Sequence, residues 1–168
     1  MPTHPTTETL IVEFKSDQSR LPDRDLVESL VGMANADGGD VFLGVENDGT
    51  PTGLHDAHQS LSGLPAMVAN LTRPPLSVFV ERIDFDGIHV ARIRVPKSRV
   101  LIATSDGRVL RRRLREDGTP EDIPVFPGEM LTRQGDLGIL DYSALPLESA
   151  EIGDFDPLER ARLRQMID

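Results

Sequence analysis

Cysteine and tryptophan are both missing, and one tyrosine and six phenylalanines supply all the phenyl rings among 168 residues. Without a thiol the chain forms neither a disulfide nor a thiolate metal site, so a reducing cytoplasm is the expected compartment. No apolar run reaches the roughly 20 residues that cross a bilayer. The leading MPTHPTTETL lacks the basic-then-apolar order of a secretory signal, and no membrane partner is expected. Lysine is nearly absent too: Lys15 and Lys97 are the only two, so almost all positive charge is arginine. The planar guanidinium fork suits carboxylate and phosphate, although the base composition of a gene would equally favour arginine over lysine.

What is abundant is acid. With 28 Asp and Glu against 18 Lys and Arg, the net charge is −10, which excludes uniform electrostatic coating of nucleic acid. The charge is polarised, however. Residues 88–115 hold nine basic side chains against one acid, Asp106, a local charge of +8 that leaves −18 for the rest. The length and a hydrophobic share of 38% suit one domain with a real core plus a tail.

Residues 9–15, TLIVEFK, read as a strand. A helix is expected over 22–35: Pro22 suits a first helical position, and Asp23, Asp25 and Glu28 lie near the positive helix end. Leu26, Val27, Leu30, Val31, Met33 and Ala34 share one of its faces. Asp37-Gly38-Gly39 stops it, DVFLGVE follows as an internal strand, and Asn47-Asp48-Gly49 turns. Over 55–72, Leu61, Leu64, Val68 and Leu71 keep helical spacing, which Pro65 is expected to split into two short helices. LSVFVERIDF, Asp86-Gly87 and IHVARIRV form a hairpin whose two-residue turn would set Glu81 opposite Arg92 and Ile83 opposite Val90.

RVLRRRLRE reads as a strand with Arg108, Leu110, Arg112 and Leu114 on one face and Arg111, Arg113 and Arg115 on the other; a helix would also stack Leu110 on Leu114. After Asp117-Gly118, TPEDIPVFPGEMLTRQG is expected as loop with one helical turn. A linker then leads to a helix from Asp156 or Pro157 that meets the chain end without a cap, suggesting a chain cut from a longer protein. The expected class is α+β, with a mixed sheet of about five or six strands and two main helices. Domain 1–130 would be followed by 131–168 as linker and the start of a C-terminal helix.

The stretch ANADGGDVFLGVENDG has the glycines of a phosphate loop in the wrong order. Such a loop needs strand, glycines, then helix, so that amides at a helix start face the anion. Here the order is helix, glycines, strand, and the helix end facing the loop carries partial negative charge. A helix stop and a tight strand entry explain the glycines better.

Two constellations carry chemistry. Glu8 and Glu13 bracket the first strand, Lys15 shares a face with Glu13, and Glu46 and Asp48 close the next strand. Were those strands adjacent, Glu13, Lys15 and Glu46 would converge as hard oxygen ligands with a nearby ammonium, the outfit of Mg²⁺ or Mn²⁺ phosphodiester chemistry. In a chain this acidic, the same carboxylates are equally ordinary solvated surface. Secondly, Arg111, Arg113 and Arg115 with Arg92 or Arg94 would line a phosphate-tracking stripe across a sheet, or else pair with acids within the chain or across a dimer. His55 and His58, three apart, are a weak metal pair.

ETLIVEFKSD, a helix, and then ANADGGDVFLGVENDGTPTGL are similar to the Schlafen/AlbA-like domain, also described as a divergent AAA-type module. Its pattern runs E-x4-E-[FY]-K, a helix ending in [FM]-A-N-x-x-GG, then a strand ending in G-V-x-[DN]-x-G. The likeness is close over residues 8–54 and looser to about residue 130. It implies a nucleic-acid-binding module, for DNA before RNA, at the N-terminus of bacterial transcriptional regulators or RecG-like helicases. It requires no cofactor. In eukaryotic relatives three carboxylates are credited with ribonuclease activity. Two would be Glu8 and Glu13; the third would be Glu46, Asp48 or missing, since Glu46-Asn47-Asp48 stands where two adjacent aspartates are usual. The rivals are a Mg²⁺- or Mn²⁺-dependent RNA or DNA endonuclease and a homodimerising assembly domain. In the first, Glu8, Glu13 and Glu46 would be ligands and Lys15 would join them in catalysis.

Overall fold

The computed structural model describes residues 5–138, 151–154 and 156–167. Their elements run β1 (Val12–Lys15), α1 (Asp23–Ala34), β2 (Gly39–Leu43), α2 (Leu64–Asn70), β3 (Thr72–Arg73), β4 (Phe79–Phe85), β5 (Ile88–Val95), β6 (Ala103–Thr104), β7 (Leu110–Leu114), β8 (Pro120–Pro124), α3 (Pro127–Asp136) and α4 (Pro157–Ile167). The α+β class holds.

Apolar spacing makes α1 the organiser. Leu26, Val27, Leu30, Val31, Met33 and Ala34 are all buried, packed with Val41, Ile93, Val95 and Leu110. Burying each larger aliphatic side chain stabilises the fold by about 1.5–3 kcal/mol. Pro22 precedes the first helical residue rather than opening the helix, and Asp23 and Asp25 occupy the first turn. The sheet order is β1-β2-β5-β4, with β1 and β2 parallel and the other neighbours antiparallel. Away from the α1 cluster, Phe14 and Phe42 meet edge to face at 6.1 Å and pack with Val45 and Val90.

The double glycine is structural. Gly38 sits at φ +73° and its N–H donates to Met33 O at 2.9 Å, closing α1. Gly39 follows at φ +140°, and a Cβ there would lie 2.2 Å from Ile11 O. Only glycine lets β2 start that close to the chain entering β1.

The β4–β5 hairpin has the expected register, Glu81 opposite Arg92 and Ile83 opposite Val90. Asp86 and Gly87 both take positive φ, as a tight two-residue turn requires. Other expectations need correction. Instead of one sheet of five or six strands there are a four-stranded sheet and two separate pairs, β3–β6 and β7–β8. Leu110 of β7 buries itself in the α1 cluster, so that strand docks on the helix and not on a sheet edge.

The segment expected as loop with one helical turn holds β8 and α3, a helix beyond the two main ones and the C-terminal one expected. PEDIP has no apolar alternation to announce a strand; its partner β7 makes it one. Pro65 lies in the first turn of α2 instead of dividing a longer helix, and what precedes it is one 3₁₀ turn, Asp56–His58. Helix α3 crosses the expected boundary at residue 130. Helix α4 begins at the expected place, and most of the expected linker lies outside the described residues.

Candidate nucleic-acid interface and carboxylate cluster

Strand alternation sends Arg112 inward and Arg111 and Arg113 outward. The Arg112 side chain is 1% exposed. Its Nε and Nη2 donate to Thr9 O, both at 3.2 Å, and Nη2 also donates to Val12 O at 3.2 Å and to the Glu13 carboxylate. Nη1 lies 3.6 Å from Asp122 on β8. The second Glu13 oxygen is 2.5 Å from Lys15 Nζ. One buried guanidinium thereby ties the β7–β8 pair to β1.

Glu8 joins this group, its Oε1 accepting the Phe14 N–H at 3.0 Å. Burial raises its pKa above the ordinary value; the Phe14 N–H opposes that rise and Glu13 adds to it. Asp122 is pushed up to about 6 by burial, with Arg112 pulling down and Glu13 pushing up. Among the described residues its Oδ1 is buried without a hydrogen-bond partner, beside Gly32 of α1, where a Cβ would lie 2.2 Å from that oxygen. The missing side chain at Gly32 is what admits the carboxylate.

Of the expected catalytic set, Glu8, Glu13 and Lys15 come together and Glu46 does not. Glu46 lies three residues past the end of β2, beyond the parallel pairing with β1. There it accepts from Thr52 Oγ1 at 2.6 Å, Ser16 Oγ at 2.8 Å and Gln18 Nε2 at 3.2 Å. The first two of these hydrogen bonds lead in holding its pKa below the ordinary carboxylate range. Asp48 is committed to its turn, accepting the Thr50 N–H at 2.9 Å.

Arg112 and Lys15 occupy both oxygens of Glu13, so this donor set does not suit Mg²⁺ or Mn²⁺. Among the described residues no group of three or more His, Asp or Glu is gathered to hold a metal ion. The carboxylate that does join Glu8 and Glu13 is Asp122, which the loop reading concealed. Asp117-Gly118 was the available signal: a turn there folds the acids of PEDIP back onto the arginines. The histidines serve structure as well. Asp17, fully buried, accepts the N–H groups of Leu21 and His55 at 3.0 and 2.8 Å and holds His58 Nδ1 at 2.9 Å.

The arginines divide. Arg92 sets its fork on Asp40, Nε to Oδ1 at 2.9 Å and Nη2 to Oδ2 at 2.8 Å; Arg94 reaches Glu81 at 2.8 Å. Two cations meet two anions on the four-stranded sheet, and burial of net charge is avoided. Arg113 and Arg115 share one acid, Glu121, each at 2.8 Å, and stay 51% and 57% exposed. Arg111 approaches only Glu129, at 3.7 Å. The expected stripe across one sheet is therefore corrected to two sets on separate sheets. Residues 96–109 carry the chain off β5 and over to α1 before β7 begins, which separates them.

A family sequence model described as Schlafen, AlbA_2 matches residues 8–119. None of the curated proteins compared with the chain matches it significantly. Among solved structures, the DIP2311 protein of Corynebacterium diphtheriae is similar with a TM-score of 0.58 and 22% identity, over 92% of this chain and 29% of that one. The N-terminal domain of a RecG-related protein from Nitrosomonas europaea gives a TM-score of 0.40 and 22% identity, over 52% and 62%. The chain thus spans 29% of the length of the first of these neighbours.

Proposed function

The chain belongs to the Schlafen, AlbA_2 family, and from that premise we propose that it is a nucleic-acid-binding domain whose contact surface is the outer face of β7. The observation that carries this reading is the exposure of the guanidinium heads: Arg113 on β7 and Arg115 just past its end share Glu121 and stay more than half exposed, with Glu116 and Asp117 bordering them. Alternate residues on a strand stand about 6.6–6.8 Å apart, so the forks form a row along which a phosphate backbone can lie. The acidic remainder of the chain repels the same polymer elsewhere and orients its approach. DNA is the favoured polymer, within a cytoplasmic bacterial transcriptional regulator. An endonuclease using Glu8, Glu13 and Glu46 finds no support in the place Glu46 takes.

Fluorescence anisotropy with labelled duplex DNA, single-stranded DNA and RNA over a salt series tests the proposal. Binding is expected to weaken linearly in log salt, with a slope about two units smaller for Arg113→Ala/Arg115→Ala. No binding of any of the three polymers at low salt overturns it. Tighter binding of RNA than of either DNA removes the preference for DNA.

A further inference from the structure

We propose that the cleft between the end of α1, β7 and α3 is a phosphate subsite with Arg111 as its principal donor. This rests on the nucleic-acid reading and names a place within it. The cleft holds about 430 Å³, and Lys97, Arg111, Arg113 and Arg133 face it against two acids, Asp37 and Asp136. Arg112 also borders it but is committed to Glu13.

The other cations differ in how far they are satisfied. Arg113 has Glu121 at 2.8 Å, and Lys97 has Asp37 at 2.9 Å in an exposed pair. Arg133 donates Nη2 to Asn35 O at 3.0 Å and stands 3.7 Å from Asp136. Among the described residues Arg111 has only the 3.7 Å approach to Glu129, too long for a hydrogen bond. The Nε atoms of both Arg111 and Arg133 are buried, with no hydrogen-bond partner among the described residues. Being closed to solvent, those Nε atoms are not themselves the contact points; a phosphate in the cleft meets the partly exposed remainder of the two side chains.

The two forks come from different elements, β7 and α3. A phosphate carries enough acceptor oxygens to be shared between several such forks, and the planar multi-donor head of arginine suits it. The negative end of α1 opens here, and Arg133 offsets it by taking the Asn35 carbonyl. The volume lies within the range of small-ligand clefts, about 300–1,000 Å³, and leaves room beside the phosphate for the attached sugar.

The phosphate could be internal to a strand or at its 5′ end, and two arms separate these. A short fluorescein-labelled DNA strand, with and without a 5′-phosphate, is titrated by anisotropy into the full chain and into Arg111→Ala, Glu129→Gln and Arg113→Ala/Arg115→Ala. Inorganic phosphate is titrated separately while the arginine Nε–Hε signals are followed by NMR. Arg111→Ala is expected to weaken the strand about tenfold and lower the salt slope by about one unit. Glu129→Gln is expected to tighten binding two- to threefold, and this variant alone decides if Arg111→Ala fails to fold. Equal binding of the two strands assigns the subsite to an internal phosphate, and preference for the phosphorylated strand to an end.

Wild-type affinity in both Arg111→Ala and Glu129→Gln, with loss in Arg113→Ala/Arg115→Ala, overturns the subsite and leaves the surface reading standing. Phosphate-dependent shifts of the Arg111 Nε–Hε signal without strand binding keep the subsite and overturn the surface reading. Neither response overturns both.

Discussion

Arg111, Arg112 and Arg113 are consecutive and chemically identical, and the fold puts them to opposite uses. Arg112 points inward, spends its donors on Thr9 O, Val12 O and Glu13, and has Asp122 nearby. Its neighbours point outward, where Arg113 has half a share of Glu121 and Arg111 has no described residue within hydrogen-bond reach. One step of strand parity converts a binding group into a structural one. A slip of one residue would bring Arg111 or Arg113 to Glu13 and turn Leu110 out of the core, so the buried ion group fixes the register with which β7 docks.

The largest effect should come from breaking the inner half of that comparison. Arg112→Ala leaves Glu13 and Asp122 buried without their shared cation and is expected to cost about 3–5 kcal/mol in urea denaturation. Arg113→Ala removes one exposed pair and is expected to cost less than about 1 kcal/mol. Equal losses from the two variants would erase the distinction between the faces.

Next comes the pH dependence of the same cluster. The folded pKa of Asp122, about 6, lies above its ordinary 3.8, so the ionised form opposes folding at neutral pH. Its contribution should therefore improve as pH falls through about 6 towards 4, by up to about 3 kcal/mol. Carboxylates held low by hydrogen bonds, Glu46 and Glu121 among them, act in the opposite sense at lower pH. The reading is accordingly a difference: wild type minus Asp122→Asn, from denaturation at several pH values. A flat difference between pH 7 and 4 would mean that Asp122 is solvated.

The smallest effect sharpens the outer half. Arg92 and Arg94 are matched one for one by Asp40 and Glu81, so Arg92→Ala/Arg94→Ala should leave the salt slope of nucleic-acid binding unchanged. The lost pairs should lower stability by about 1 kcal/mol. A drop in slope as large as that of Arg113→Ala/Arg115→Ala would return the four-stranded sheet to the contact surface.

Local signals were legible wherever a short segment carries its own instruction. The apolar face of α1, the stop at Gly38-Gly39 and the Asp86-Gly87 turn each act within a few residues, and the hairpin register followed from them. β8 was not legible, because PEDIP has a single interior apolar residue and becomes a strand only opposite β7. The site divides along the same line. Glu8, Glu13 and Lys15 lie within eight residues of one another and stand close together in the fold. Glu46 was misplaced because the convergence assumed for it requires a position inside the β1–β2 pairing, and it falls beyond the end of β2.

Composition and periodicity alone pointed to the α+β class, to the helix at the centre of the core and to a strand for the arginine run, with a helix left as the other reading of that run. Tertiary structure decided which arginine parity faces inward, which acids neutralise which cations, and that Asp122 replaces Glu46 beside Glu13. Propensity and pattern act along the chain, but an ion pair depends on distance through space, and the partners of Arg112 lie about a hundred residues away from it in one direction and ten in the other.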